Sequence, residues 1–131
     1  MFKKFCKSSS GQALLEFALV LPLFVLLTFG VIEVSKIGYS YVTLNNAVRS
    51  GARVASVGGL DEEITNTIAT SSTYLDHTLL NITIIPEEMG RRSGSQVKVV
   101  ASYPVYLSTP IISQVLPNPV TVNSSLAMRI E

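Results

Sequence analysis

Charged side chains are scarce in this chain of 131 residues, and that scarcity limits what it can bind. Only 15% of the residues are charged, against roughly 25% in an average soluble domain, whereas 47% are hydrophobic. The formal net charge is +1, so the sequence predicts no basic surface for the phosphates of a nucleic acid. The length suits one small domain with one long anchoring element.

Cysteine and histidine occur only once each, as Cys6 and His77. A lone thiol cannot form an internal disulfide, and these two side chains are too few for a structural zinc site. No nucleophile-elbow sequence is present either. We therefore expect a protein that is not an enzyme and holds neither metal nor cofactor, with His77 in an ordinary surface role.

What the chain does contain is one long apolar run, ALLEFALVLPLFVLLTFGVI, from Ala13 to Ile32. Its 20 residues include one charge, Glu16, and would span about 30 Å as a helix, the thickness of a bilayer core. A cleaved signal peptide has a shorter apolar region, about 7–15 residues, followed by a small-x-small cleavage site. The run therefore predicts a retained transmembrane helix, in which Pro22 introduces a kink.

Charges on the two sides of this run predict its orientation. Lys3, Lys4 and Lys7 precede it, whereas Glu33 and Lys36 follow it, offset one another and mark the membrane boundary. The positive-inside tendency places the N-terminus in the cytoplasm. The expected organisation is a leader (1–11), a transmembrane helix (12–33), a helical extension (34–57) and a small outer domain (60–131).

The acidic residue inside the run needs an explanation, because a carboxylate at the centre of a membrane helix costs about 2.5–3.5 kcal/mol on insertion scales. An interfacial position that reaches water is one reading of Glu16. However, a basic leader, Gly11, Gln12 and then Glu16 resemble the processing site of type IV prepilins and pseudopilins. The resemblance implies that a prepilin peptidase cuts between Gly11 and Gln12, and that Glu16 serves subunit assembly.

The chemistry of that arrangement is coherent. Cleavage would create an α-amino group on Gln12, a cation able to pair with Glu16 of an adjacent subunit and offset part of its burial cost. Glycine also suits an extended chain in a protease and resists helix continuation, which we expect at Gly11.

A closer resemblance covers GQALLEFALVLPLFVLLTFGVIEVSK and the later NNAVRSGARVAS. Both are similar to TadE-like proteins of the tight-adherence (Flp) pilus system. The features that carry the resemblance are Gly11, Glu16, Phe17, Pro22, Gly30, Glu33, Lys36 and the stretch 45–55. Phe17 favours a minor pilin, because major pilins of this system tend to have tyrosine there and are shorter.

The resemblance implies a minor pilin or pseudopilin of the bacterial inner membrane that acts in assembly of an adhesive fibre. The implied partners are the prepilin peptidase, other pilins or pseudopilins, assembly-platform proteins and membrane lipid. An uncleaved single-pass adaptor that presents an interaction domain is the alternative, and it leaves the Gly11 to Glu16 spacing as coincidence. An anchored envelope enzyme ranks third, because no reactive cluster supports it.

The helical pattern continues beyond the run. Apolar residues recur at spacings of three and four: Val34, Ile37, Tyr41, Leu44, Val48, Ala52 and Ala55. Arg49 and Arg53 fall on the opposite, solvated face, and Gly58-Gly59 is a plausible stop. We expect the part of the stripe after about Tyr41 to pack on the outer domain and the rest against neighbouring subunits.

The outer domain has a helical start followed by β-rich segments. Asp61 is the expected cap of a second helix, and the segments 81–85, 97–106 and 120–129 have strand composition. Pro104 suggests an edge position or a strand break, Arg91-Arg92 a solvated loop tip, and 109–119 a short helical turn between prolines. The predicted fold class is α+β, with a three- to four-stranded antiparallel sheet packed on helices.

Overall fold

A computed structural model describes residues 9–131, and one helix dominates it. Helix α1 (Ser9–Ser56) has 48 residues and is therefore about 72 Å long. It continues through Pro22, while the kink expected there stays a prediction. The leader lysines and Cys6 lie outside the described residues.

Two glycines end this helix as expected. Gly58 has a φ of 81°, in the left-handed region that favours glycine. Its N–H donates to the carbonyl of Ala55 (3.2 Å), and the N–H of Gly59 donates to that of Val54 (3.0 Å). This pair of bonds is the Schellman motif, so the predicted stop is confirmed.

The remaining elements form an α+β domain. They are α2 (Asp61–Ser71), β1 (Asn81–Ile85), a 3-10 turn (Glu88–Gly90), β2 (Gln96–Val105), a short helix α3 (Ile112–Val115) and β3 (Val120–Arg129). The three strands make one antiparallel sheet in the order β1-β2-β3. The predicted fold class is confirmed, with three strands.

Pro104 lies in the central strand, yet it has a partner on one side only. Pairing between β1 and β2 ends where Asn81 faces Ser102, whereas Pro104 still pairs with Thr121 of β3. The end of β2 is therefore an edge on the β1 side. The N–H that proline lacks interrupts no hydrogen bonds between β1 and β2.

The core lies around the C-terminal half of α1, which we call its outer half. This half contacts α2, β2 and β3. The core residues with no exposed surface are Leu44, Ala47, Val48, Ala52 and Ala55 of α1, Ile64 and Ile68 of α2, and Val97, Val99 and Ala101 of β2. Their apolar surface is removed from water, the main favourable term in folding. The expected packing of the later stripe on the chain's own domain is observed.

The early part of the predicted stripe is not covered by the chain's own domain, and its packing against neighbouring subunits stays a prediction. Val34 and Tyr41 are 64% and 49% exposed, and the buried face instead continues through Ile37 to the polar residues Ser40 and Glu33. The sequence pattern follows hydrophobicity, and here a bonded carboxylate and a hydroxyl occupy the face that turns towards the domain.

Two expectations about the outer domain also need correction. Asp61 is the first residue of α2, not its cap; Leu60 holds the cap position, and its N–H donates to the carboxylate of Glu63 (3.2 Å). Arg91 is not solvated: its side chain is 6% exposed, pairs with Asp61 and donates to the carbonyl of Gly59 (3.1 Å). The connection between β1 and β2 is thereby tied to the start of α2.

Close approach of α2 to α1 depends on a glycine. A Cβ at Gly51 would lie 2.5 Å from Cγ1 and 2.7 Å from Cδ1 of Ile68, a buried side chain with little freedom to move. Gly38, also in α1, has no such neighbour within 4 Å. Substitutions at Gly51 and Gly38 therefore distinguish the loss of a close helix contact from the general effect of replacing a glycine in a helix.

We expect Gly51→Val to lower the free energy of unfolding of the outer domain by about 1–3 kcal/mol, because it overpacks the contact with Ile68. Gly38→Val should change it by less than about 0.5 kcal/mol, since the two residues differ little in helix propensity. Urea unfolding of the full chain in detergent, followed by the tyrosine near-UV signal, measures both. Equal effects of the two variants would contradict the packing role.

Candidate membrane and assembly site

The N-terminal half of α1, which we call its inner half, is exposed on every face. From Leu14 to Ile32 the leucine, valine, isoleucine and phenylalanine side chains are 37–72% exposed, and only 6% of the most apolar stretch is buried. A core helix of a soluble protein would bury such a surface. This helix is long and apolar enough to cross a membrane and is compatible with a single-pass anchor.

The predicted processing and assembly residues lie together at its inner end. Gln12 and Glu16 are one turn apart on the same face, and Nε2 of Gln12 donates to Oε1 of Glu16 over 3.4 Å. Within residues 9–131 no lysine or arginine lies within salt-bridge distance of the Glu16 carboxylate. Phe17, next to it, is 63% exposed.

Gly11 lies within the first turn of α1, which begins at Ser9. The helix continues through Gly11, so the low helix propensity of glycine does not end it here. A Cβ at Gly11 would meet no side chain of the described residues within 4 Å, so this side of the helix is uncovered. The first-turn N–H groups have no helical acceptor, and such ends open easily.

The predicted boundary residues lie far from this end. Seventeen residues separate Glu33 from Glu16, which is about 26 Å along the helix. The structure therefore divides the predicted site residues between two places: Gly11, Gln12, Glu16 and Phe17 at the inner end, and Glu33 with Lys36 where the helix meets the outer domain.

Glu33 is buried, at 3% exposure, and its carboxylate holds a loop of the outer domain. Oε1 accepts hydrogen bonds from the backbone N–H groups of Ser108 (2.8 Å) and Thr109 (3.0 Å) and from the hydroxyl of Thr109 (3.0 Å). Hydrogen bonds to a charged acceptor are the stronger class. One oxygen of the buried carboxylate thereby has three donors.

Lys36 completes the contact from the next turn of α1. Its Nζ lies 3.4 Å from Oε2 of Glu33 and donates to the carbonyl of Tyr106 (3.3 Å) and the hydroxyl of Ser108 (3.1 Å). The acid–base pair predicted at the membrane boundary is thus formed, and it also fastens residues 106–109 to α1. The sequence carries no local signal for Ser108 and Thr109, which lie more than 70 residues away.

The loop that Glu33 holds is closed at its base. The N–H of Leu107 donates to Oδ1 of Asn118 (3.1 Å), and Nδ2 of Asn118 donates to the carbonyl of Leu107 (3.3 Å). We call residues 107–118 the α3 loop, since they contain α3. The predicted helical turn between prolines is confirmed as this helix.

The tip of the α3 loop lies beside the inner, apolar part of α1. Between them is a cavity of about 640 Å³. Its lining consists of Leu26, Leu27, Gly30, Val31, Val34 and Ser35 from α1 and Ile111, Ile112, Val115 and Leu116 from the loop. We call this cavity the apolar groove; Ser35 is the one polar residue of its lining.

Comparison with known proteins finds a similarity for the N-terminal part of the chain. The family model described as TadE-like protein matches residues 11–53. This segment is therefore similar to TadE-like proteins, and we call it the TadE-like segment. The match begins at Gly11, includes Glu16, Glu33 and Lys36, and covers 43 of the 131 residues. No curated protein and no solved structure matches the chain.

The match covers about a third of the chain. It ends inside the packed half of α1, so α2, the sheet and the α3 loop lie outside the match. Among residues 9–131, no group of three or more histidine, cysteine, aspartate or glutamate side chains is arranged to hold a metal ion.

Replacing Glu33 by alanine should release the base of the α3 loop, because two backbone N–H groups lose a charged acceptor. Amide hydrogen exchange at Ser108 and Thr109 should become about 10- to 100-fold faster. Glu62→Ala, in the exposed first turn of α2, should leave those two amides unchanged. Unaltered protection at Ser108 and Thr109 in Glu33→Ala would show that the loop is held by other contacts.

Proposed function

We propose that this chain is a TadE-like minor pilin or pseudopilin, a structural or assembly subunit of a tight-adherence (Flp) pilus. The observation that carries the proposal is the apolar helix surface of Leu14 to Ile32, exposed on every face and preceded by Gly11, Gln12 and Glu16 within the TadE-like segment. A surface of this kind needs either lipid or neighbouring helices to cover it.

In this proposal the chain crosses the bacterial inner membrane once. Residues 12–33 form the membrane-spanning part, and the leader 1–11 with its lysines lies in the cytoplasm. The helical extension 34–57 and the domain 60–131 lie outside. The same helix serves first as anchor and, on assembly, as packing surface against other pilins, because lipid and apolar side chains cover it equally well.

Processing by a prepilin peptidase removes the leader. Hydrolysis of the peptide bond between Gly11 and Gln12 leaves a carboxylate on Gly11 and an amino group on Gln12. The open surroundings of Gly11 and its place in the first helical turn support access of a protease. Opening that turn exposes an extended chain without disturbing the core, which begins more than 20 residues later.

Cleavage also gives Glu16 a partner. In the uncleaved chain its contact among the described residues is the neutral amide of Gln12. The new amino group is a cation, and on an adjacent subunit it could face Glu16 when the helices pack side by side. Such pairing offsets part of the desolvation cost of a carboxylate removed from water. Glu16 then favours assembled over isolated subunits.

We expect the protein from cells that contain the peptidase to lack residues 1–11 and to begin at Gln12, and the protein from peptidase-deficient cells to retain Met1. Gly11→Ala should reduce the cleaved fraction at least tenfold. Gly30→Ala is the matched control, since Gly30 has equally open surroundings in the same helix. Intact mass and N-terminal sequencing measure all four proteins.

An intact Met1 terminus in cells that make the fibre would overturn processing. Normal assembly of an uncleaved chain would favour instead the single-pass adaptor, which presents the outer domain without entering a pilin pathway.

Glu16→Gln should leave cleavage and membrane insertion intact but reduce association with other pilins at least tenfold. The substitution keeps the shape of the side chain and removes the charge that pairs with the new amino group. Cross-linking in membranes and recovery in sheared fibres measure association, with Glu62→Gln in the outer domain as control. Wild-type association of Glu16→Gln would remove the assembly role of this carboxylate.

A further inference from the structure

The α3 loop places its most apolar side chains where a water-soluble domain would not keep them. Val115 is 81% exposed, Ile111 59% and Leu116 41%. All three line the apolar groove together with residues of α1. No charged residue occurs between Lys98 and Arg129, so no charge in this part of the chain opposes contact with hydrocarbon.

The depth of the loop follows from its neighbours on α1. Leu26, which lines the groove, precedes Glu33 by seven residues, or about 10 Å along the helix. If residues 12–33 span the membrane as proposed, then Leu26, Leu27 and Val31 lie in the hydrocarbon of the outer leaflet. The loop residues that line the groove with them lie in the same layer.

The polarity of the α3 loop changes in the order that a membrane interface requires. Its tip turns Ile111, Ile112, Val115 and Leu116 to the groove. Its base carries Ser108 and Thr109 bonded to Glu33, and Lys36 lies one turn further out. The exposed tyrosines Tyr39 and Tyr106 lie near Lys36, and tyrosine is enriched at membrane–water interfaces. Glu33 is shielded from lipid because the loop base covers it.

We propose that the tip of the α3 loop, residues 111–116, is a membrane foot that inserts into the outer leaflet of the membrane crossed by α1, and that the apolar groove holds a lipid acyl chain. The inference rests on the proposed membrane span. Lipid is the chosen occupant because the groove is continuous with the apolar surface of the spanning segment and is lined almost entirely by aliphatic side chains.

A membrane foot would give the outer domain a second point of attachment. The core fixes the domain on the outer half of α1, and the foot sets its height and its rotation about the helix relative to the bilayer. Adjacent subunits would then enter assembly with their domains at one common height.

Tryptophan provides a direct test, because the chain contains none of its own. We place one tryptophan in the full chain at Val115, at Phe24 within the span, or at Met89, a fully exposed residue of the 3-10 turn. Each variant is reconstituted at low protein content into phosphatidylglycerol–phosphatidylethanolamine vesicles, with and without acyl chains brominated at defined depths. Emission maximum and quenching are then measured.

We expect Val115→Trp and Phe24→Trp to emit at shorter wavelength than Met89→Trp by about 10 nm or more and to be quenched by brominated acyl chains. Val115→Trp should be quenched most by bromine in the outer half of the leaflet. Met89→Trp should be unquenched and accessible to iodide.

Two results would overturn the foot while leaving the span intact. In both, Phe24→Trp is quenched by brominated acyl chains. In the first, Val115→Trp resembles Met89→Trp, which places the loop in water. In the second, Val115→Trp has blue-shifted emission that brominated chains do not quench, which shows that protein and not lipid covers the groove. Absence of quenching in Phe24→Trp as well would overturn the membrane span, and the foot with it.

Discussion

One helix has to satisfy two different environments, and the remainder of the structure depends on how α1 does so. Its outer half presents small residues and aliphatic side chains on one face, so that α2 and the sheet can approach closely enough to bury Leu44, Val48 and Ile68 completely. Gly51 leaves room for the side chain of Ile68 in α2. Its inner half is apolar on every face and has no partner within the chain, which leaves lipid or other subunits to cover it.

The change between the two environments is marked by Glu33 rather than by a loop. A buried carboxylate would be costly, yet this one accepts three hydrogen bonds from Ser108 and Thr109 and pairs with Lys36. Because its partners come from a distant loop, the contact brings the α3 loop down along α1. Residues that define the level of the membrane in our proposal therefore also position the outer domain.

The sequence predicted best where the signal is local. Helix α1, the stop at Gly58-Gly59, the strands and the short helix between prolines follow from periodicity, β-branched composition and turn residues. It failed where a long-range contact decides: Arg91 looks like a loop tip but is buried against Asp61. Pattern alone cannot tell which of two faces of an apolar helix meets its own domain.

By itself, the sequence determined an α+β protein with one helix long and apolar enough to cross a membrane, together with the TadE-like segment that begins at Gly11. These features depend on residues close to one another along the chain. The tertiary structure alone decided that the α3 loop lies beside Leu26 to Ser35 and that Glu33 holds its base. Those contacts join residues more than 70 positions apart, and the pairing of a carboxylate with remote backbone N–H groups leaves no periodic trace.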